Sequence, residues 1–576
     1  MARPDAEGYN TLKWLLERLT RSEDYCRPYF DRAKRYYRLY RFASAVDDKD
    51  WPYVNRVRSR DVMAFVEDST ALLIQTLFAA MPFFAVIPRE TRVLRQMQDQ
   101  IDPMRMADQI SRALDYQISH EDTEFFEEIV DFFKGGTIFG NSYIGVYPKF
   151  TEDGRYLRPL LKATDFWDVM PIRGARRVSK ARGMFVREFA TTEDLRKLQE
   201  RGIYADTDQI RTIGSSGTDP DKDWHGQLLQ EVGMEDYAPD KSDIEVLHYF
   251  SGGHVITFGD RKVILRDSNS GAKPYPYDNP IVQYKYMPVP LEFFSMGIPE
   301  VLEVLAEDKN LIRSARRDNI DLVINKILKA RSGADINFDL IKYYAGAIWP
   351  LENLNDIEEM DMQDVTQSSY QEEGLVKADM ENALSLFGYA RGMTPQHSEQ
   401  PTTVMKLQQA SLNRMDLAVK LAEFGPLQNI ATRIILLTRQ FMAQEDYESI
   451  IGDTDAGFYK LSLEDVRRFF YFKPVGSSVT NIKEVRQAQI QFAMNALLQV
   501  PPEVSMNSVE PFAVNWYEAL KIAMDSADVP NVDRILIKEE EAQPPPQEPG
   551  MPNENNLQDL AGIMYGGGEG ENAFGS

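Results

Sequence analysis

From Gly297 to Gly333 the chain contains one helix breaker, Pro299, and it stands where a proline opens a helix rather than ends one. The spacing predicts about thirty helical residues, roughly 45 Å at about 1.5 Å per residue. That is well beyond the usual helix of a globular domain. A strand pattern beginning at Pro280 precedes it. Asp335 to Asp364 then holds a short apolar run, Tyr343 to Leu351, followed by an acidic run. A second helical pattern returns over Tyr370 to Tyr389. Two rods joined by a small strand-bearing excursion make a stem with a tip, and a stem this long must cover its apolar sides with neighbours.

The segments before it read as helices and then strands. Thr11 to Thr20 is amphipathic, Ser22 is placed to cap a second helix that Pro28 kinks or restarts and that reaches Phe42, and Asn55–Phe78, Thr91–Ser119 (with a break at Pro103 left open) and Thr123–Phe139 are helical. Tyr143–Tyr147 and Leu157–Lys162 form a strand pair turning at Glu152-Asp153-Gly154, and Met184–Phe189 adds a strand before a helix starting at Thr192. Residues 206–242 are a polar loop, and Ile244–Phe250, the strand from His254 and that from Lys262 form a meander. Later come a helix from Thr402 to Gln444 kinked at Gly425-Pro426, strands at Phe458 and Phe469, and helices over Lys483–Gln499 and Glu510–Ser526. From Glu539 the chain is acidic and rich in Pro, Asn and Gly, with too little apolar surface to order itself. The fold class is therefore α+β.

At 576 residues several structural units are expected. A net charge of −24 argues against a sequence-independent grip on nucleic acid over the whole surface, although local contact remains open. The single cysteine, Cys26, excludes a disulfide framework and cysteine-rich zinc sites and suits a reducing environment. The N-terminal residues lack a signal-type apolar core. The one membrane candidate, Ala71 to Pro88, is interrupted by Gln75, Thr76 and Pro82 and reads better as a buried helix end entering a strand.

Chemical motifs are weak. Gly135 to Ser142 has the glycine spacing of a phosphate loop, but Asn141 stands where lysine is required and the helix-to-strand context is reversed. Asp453 to Glu464 partly copies a calcium loop with its glycine one place early. His120, His225, His248, His254 and His397 lack zinc-ligand spacing. No cofactor and no enzymatic site are expected.

Two basic faces stand out. Arg27 to Phe42 interleaves Arg32, Lys34, Arg35, Arg38 and Arg41 with aromatic residues; packing of the tyrosines on a core is favoured over nucleic-acid binding. On the long helix Lys309, Arg313, Arg316 and Arg317 share an arc of about 100°. They form either an ordinary solvated face, or ion pairs between subunits with Glu303, Glu307 and Asp308, or a basic stripe facing a DNA channel.

Several segments, in order, resemble the portal proteins of tailed double-stranded DNA bacteriophages. These are the arginine- and tyrosine-rich helix with Val66–Pro88, then Gly136–Tyr147, Asp165–Leu198, Met287–Ile320 (the closest) and Gly388–Met415. The resemblance implies a ring, commonly of twelve subunits, at one capsid vertex, assembled in the host cytoplasm and retained in the virion. Double-stranded DNA passes through it without sequence recognition, while ATP is hydrolysed elsewhere, by the terminase. It implies a wing over 1–296, a stem helix over 297–330, a clip over 331–369 and a returning stem helix over 370–390. A tunnel loop over 391–401, the tunnel helix and rest of the wing over 402–480, a crown over 481–538 and an acidic tail over 539–576 would follow. No long heptad pattern continues past the crown. Partners implied are further copies of the chain, the terminase large subunit, the tail adaptor and a major capsid or scaffolding protein, with no membrane. The clip would dock partners through Glu352, Asp356, Glu358, Glu359, Asp361 and Asp364. Arg391, Met393, Thr394, Gln396, His397, Glu399 and Gln400 would line the constriction. The competing reading is another structural virion protein of the tail or internal scaffold.

Overall fold

The computed structural model describes residues 6–42, 51–79, 83–89, 103–120, 123–151, 153–205, 243–268, 273–325, 327–332, 336, 341, 348–349, 355–360, 366–385, 415–452 and 457–475. These belong to a compact unit over 1–480, separate from 481–576. The 206–242 loop, the 391–401 segment, Glu352, Asp361, Asp364, the helices expected beyond 481 and the acidic tail lie outside the described residues.

Helices and antiparallel sheets alternate, as expected for α+β. Helices α1 (Ala6–Tyr40), α2 (Asp61–Leu77), α3 (Pro103–Ser119) and α4 (Phe125–Phe139) are interrupted by strand β1 (Phe84–Pro88). After α4 come β2 (Asn141–Phe150), β3 (Tyr156–Thr164), β4 (Val169–Pro171), β5 (Met184–Ala190) and helix α5 (Thr192–Glu200). Next are β6 (Ile244–Ser251), β7 (His254–Gly259), β8 (Val263–Asp267) and β9 (Ile281–Lys285). One sheet has the order β3-β2-β9 and a second the order β4-β5-β6-β7-β8. Helix α5 begins where Thr191 accepts a hydrogen bond from the Asp194 N–H, the N-cap arrangement its sequence favours. Among the described residues no helix is long and apolar enough to cross a membrane. Ala71–Pro88 instead contains the end of α2 and strand β1, whose Phe84 is buried.

The first correction concerns α1, which is one helix of 35 residues carrying Pro28 inside it. A proline removes one helical hydrogen bond and costs about 3 kcal/mol. Leu15 and Leu19 before it and Phe30 and Ala33 after it all enter the core beside the five-stranded sheet. At about 1.5–3 kcal/mol for each large apolar side chain removed from water, that burial outweighs the break. Ser22 is buried within this helix and caps nothing. The basic-aromatic segment is a packing element: Tyr36 is buried, Tyr29 stacks on Phe294 at 4.1 Å, and Arg32 and Arg35 reach Glu300 and Glu303 at 3.5 and 3.3 Å.

Strand β5 carries one of the most deeply buried charges among the described residues. Arg187, 2% exposed, lies 3.3 Å from Glu245 on β6 and 3.8 Å from Glu23 on α1. Arg261 closes the set at 2.9 Å from Glu245 and 2.7 Å from Glu23. Beside it, burial pushes the Asp168 carboxyl up to about 8, against the opposing Arg187 guanidinium.

The end of the unit corrects a second expectation. Gly457–Lys460 is a 3-10 turn and not a strand; it leads into helix α10 (Leu463–Phe469), opened by a capping box between Ser462 and Asp465. Aromatic residues there serve packing instead: Phe458 is buried and stacks on Tyr447 at 4.8 Å. The second expected strand does form, as β12 (Phe470–Pro474), and pairs antiparallel with β1, which follows α2. The long C-terminal helix is helical over 415–422, passes Gly425-Pro426 in a π turn (Glu423–Leu427), and continues as α8 (Gln428–Phe441). It stops at Met442, and α9 (Gln444–Ile451) starts anew. Residues 402–414 of that helix, and 453–456 of the calcium-like segment, lie outside the described residues.

Candidate functional site: the long-helix pair and its ribbon

The chain after β9 forms helix α6 (Ile298–Ile324), strands β10 (Leu328–Ala330) and β11 (Ile357–Glu359), and helix α7 (Gln367–Leu384). Helix α6 has 27 residues, roughly 40 Å at about 1.5 Å per residue. It ends six positions before the expected Ala330, because Leu328–Ala330 pairs antiparallel with Ile357–Glu359. Among the described residues a two-stranded ribbon closes the excursion at its base, and its pairing begins before the expected clip boundary at 331.

Two glycines seat this unit. Gly140, at the turn from α4 into β2, has φ +80°, and a Cβ there would strike the carbonyl oxygen of Ser295. A Cβ on Gly297, the residue before α6, would strike the carbonyl oxygen of Ile138. The Tyr286 N–H donates to the Gly140 oxygen at 2.9 Å. Backbone therefore lies against backbone where the long helix starts, in the helix-to-strand turn whose glycines mimic a phosphate loop.

The four basic residues of α6 do not form one solvated stripe. Lys309 is 5% exposed and donates to Asp61 of α2 at 2.7 Å. Arg316 pairs with Glu373 of α7 and lies 4.1 Å over the Tyr370 ring, and Arg313 approaches the same Glu373 at 3.6 Å. Arg317 is exposed and pairs within its own helix with Asp321 at 3.4 Å. The ion pairs these residues make lie within the chain, with partners other than Glu303, Glu307 and Asp308; Glu303 is held by Arg35.

Sequence reasoning missed a strap. Residues 51–60, assigned in part to a helix from Asn55, are neither helix nor strand; they bend over 53–55 and then run antiparallel to α6 from Asn55 to Ser59. The Asn55 N–H donates to Asp318 at 2.8 Å, the Val57 N–H to the Ser314 hydroxyl at 3.0 Å and the Ser59 N–H to the Asn310 side chain at 2.8 Å. Alternate residues of the strap meet every fourth residue of the helix, while Arg56, Arg58 and Arg60 between them face outward. That alternation in Asn-Arg-Val-Arg-Ser-Arg was the available signal, since a period of two marks extended backbone. Burial opposes ionisation of Asp318, but N–H donors from Asn55 and Val54 outweigh it and hold the carboxyl below its usual range. Its contribution is thus present above the unfolded value near pH 4 and is lost as pH falls through the lower folded value. Asp318→Ala should destabilise the chain by about 0.5–1.5 kcal/mol near neutral pH, since water competes for hydrogen bonds at this accessible carboxylate. Chemical denaturation at pH 7 and pH 3 measures this; a deficit equal at both values would sink the role given to Asp318.

Of the acidic residues assigned to the tip, Asp356 is described at the end of the ribbon away from the two helices, where its carbonyl accepts from the Arg331 N–H at 2.9 Å. Glu358 and Glu359 are exposed on β11, with Glu358 opposite Lys329. The helix pair also exposes apolar side chains: Val304 at 71%, Leu322 at 41% and Ile324 at 63% on α6, and Leu375 at 61% on α7. On the covered side Leu302 and Ala306 of α6 share a core with Met380 and Leu384 of α7. Among the described residues no His, Cys, Asp and Glu cluster could hold a metal ion. No protein-family model matches this sequence, and no curated protein matches it.

Proposed function

We propose that this chain is the portal protein of a tailed double-stranded DNA bacteriophage. In this reading it forms a ring, commonly of twelve copies, at a capsid vertex that conducts DNA during packaging and ejection. One observation carries the reading: a strand leads into a 27-residue helix, a small two-stranded ribbon and a returning helix, and this unit exposes Val304, Ile324 and Leu375. A lone helix pair gains nothing by leaving such side chains in water; neighbouring copies in a closed ring would cover them. The acidic chain suits the role, because a wall that mostly repels phosphate lets DNA slide. The ribbon, with Glu358 and Glu359 outward, is the docking surface for the terminase and, after packaging, the tail adaptor. The role is structural, not catalytic.

Negative-stain imaging with native mass measurement of the purified chain tests the proposal. The expected result is a ring with a central channel and a mass near twelve times 66.0 kDa. Val304→Asp with Leu375→Asp should abolish that ring and leave folded monomers, since both positions are exposed within one chain. A monodisperse monomer at micromolar concentration in moderate salt would refute the ring, and open filaments or sheets would favour a different structural component of the virion.

A further inference from the structure

A second group of basic residues lies away from the long helix. A cleft of about 1120 Å³ opens between α1 and the connection from β4 to β5. Its lining carries six cations, Arg18, Arg21, Arg32, Arg173, Lys180 and Arg182, against one carboxylate, Asp24. Such a concentration is unexpected on a chain of net charge −24. Two of the six are engaged: Arg18 donates to the Tyr249 hydroxyl at 3.0 Å, and Arg32 lies 3.5 Å from Glu300. Arg21, Arg173, Lys180 and Arg182 are exposed and make no ion pair among the described residues. The β4–β5 connection places its cations by a tight turn in which Gly174 adopts φ +94°, with open space where a side chain would stand. Along one wall Tyr25 and Tyr29 form an aromatic ledge backed by Phe294.

We infer that this cleft binds the phosphodiester backbone of a nucleic acid without reading its sequence. Like charges gathered on two converging elements repel one another, and an anion bearing several charges at regular intervals relieves that repulsion. Five of the six cations are arginines, whose planar forks match phosphate oxygens in pairs. An acidic protein segment would satisfy the same charges, but protein interfaces depend on apolar anchors seated in dry pockets. Here Arg21, Arg173, Lys180 and Arg182 stand exposed to water, and the aliphatic lining is limited to Pro28, Ile172 and Ala175. The inference rests on the cleft alone and does not require the ring; the monomeric Val304→Asp, Leu375→Asp chain should bind equally.

The test is fluorescence anisotropy of the full chain with a labelled random-sequence DNA duplex over a series of salt concentrations, alongside labelled poly-glutamate. Arg21→Ala, Arg173→Ala and Arg182→Ala together should make the slope of log affinity against log salt shallower by roughly 2.7, about 0.9 for each phosphate no longer neutralised. The triple lysine variant at the same positions should keep the wild-type slope, which separates charge from shape. Matching thermal melts establish that both variants are folded. Absence of duplex binding, an unchanged slope in the alanine variant, or tighter binding of poly-glutamate than of duplex would each overturn the inference.

Discussion

Replacing Gly140 by alanine is expected to lower stability by roughly 2–5 kcal/mol, from left-handed backbone strain and forced repacking together. The added methyl group meets the Ser295 carbonyl, which cannot swing away because Met296 is bonded back to Met287 at 3.0 Å. Two other glycines separate the contributions. Gly297→Ala introduces only the clash, with the Ile138 carbonyl, since its φ of −98° suits any residue. Gly154 has φ +79° with open space around it, so Gly154→Ala introduces strain alone, about 1–2 kcal/mol. Urea denaturation should rank Gly140→Ala as the most damaging of the three. If all three fall together, the seating of the long helix on the α4–β2 turn has been misread. The consequence reaches the assembly, because this junction sets where the long helix begins.

Arg187→Met should destabilise the chain by about 3–5 kcal/mol at neutral pH, as expected when a buried ion pair loses one partner. The substitution keeps volume and removes charge, leaving Glu23 and Glu245 to share Arg261. Its pH dependence is also fixed. Burial already raises the folded-state value of Glu23 despite Arg261 and Arg187, and raises Asp168 to about 8. Removing Arg187 raises them further. A carboxyl whose folded value lies above its unfolded one binds more protons in the folded state, so stability falls as pH climbs between the two. The deficit should therefore be small near pH 4 and grow towards pH 8, measurable as the shift in urea midpoint at each pH. Adding Glu245→Gln should recover part of it. A deficit independent of pH, or one below about 1 kcal/mol, would show that the cluster is hydrated and not a dry ion network.

What could be read in the sequence was local. The β2–β3 pair was legible because Asp153-Gly154 is a turn and the flanking residues favour strands. The meander was legible from the strand-favouring runs at Ile244, His254 and Lys262, and the Gly252-Gly253 turn between the first two adopts positive φ. The long helix was legible in kind, since nothing breaks it, but its end was not. Ile327 and Leu328 belong as readily to a helix as to a strand, and the strand wins only through pairing with residues near 358, distant in sequence. The same limit hid the ion pairs of α6. Lys309, Arg313 and Arg316 share an arc of the helix, but Asp61 and Glu373 come from other elements, and periodicity along one helix does not reveal what faces it. The turn at Gly457–Lys460 failed differently: aromatic residues favour strands on average, and the Ser462–Asp465 capping box that opens α10 was the overlooked signal.

The strap on α6 works as a vernier. Two residues of extended chain advance about 6.6–6.8 Å, four residues of helix about 6.0 Å. The two scales part by roughly 0.7 Å at each step, so a ladder built on them stays within hydrogen-bonding reach for only a few rungs. Three are present, at Asp318, Ser314 and Asn310. Sliding the helix by one turn in one direction sets Leu322 opposite Asn55, and in the other sets Ala306 opposite Ser59, and neither side chain accepts a hydrogen bond. The helix is thereby indexed along its own axis to a single position. An axial load on α6 passes through the rungs and the Lys309–Asp61 pair into α2, moving the two as one body instead of letting the helix slip past its mount.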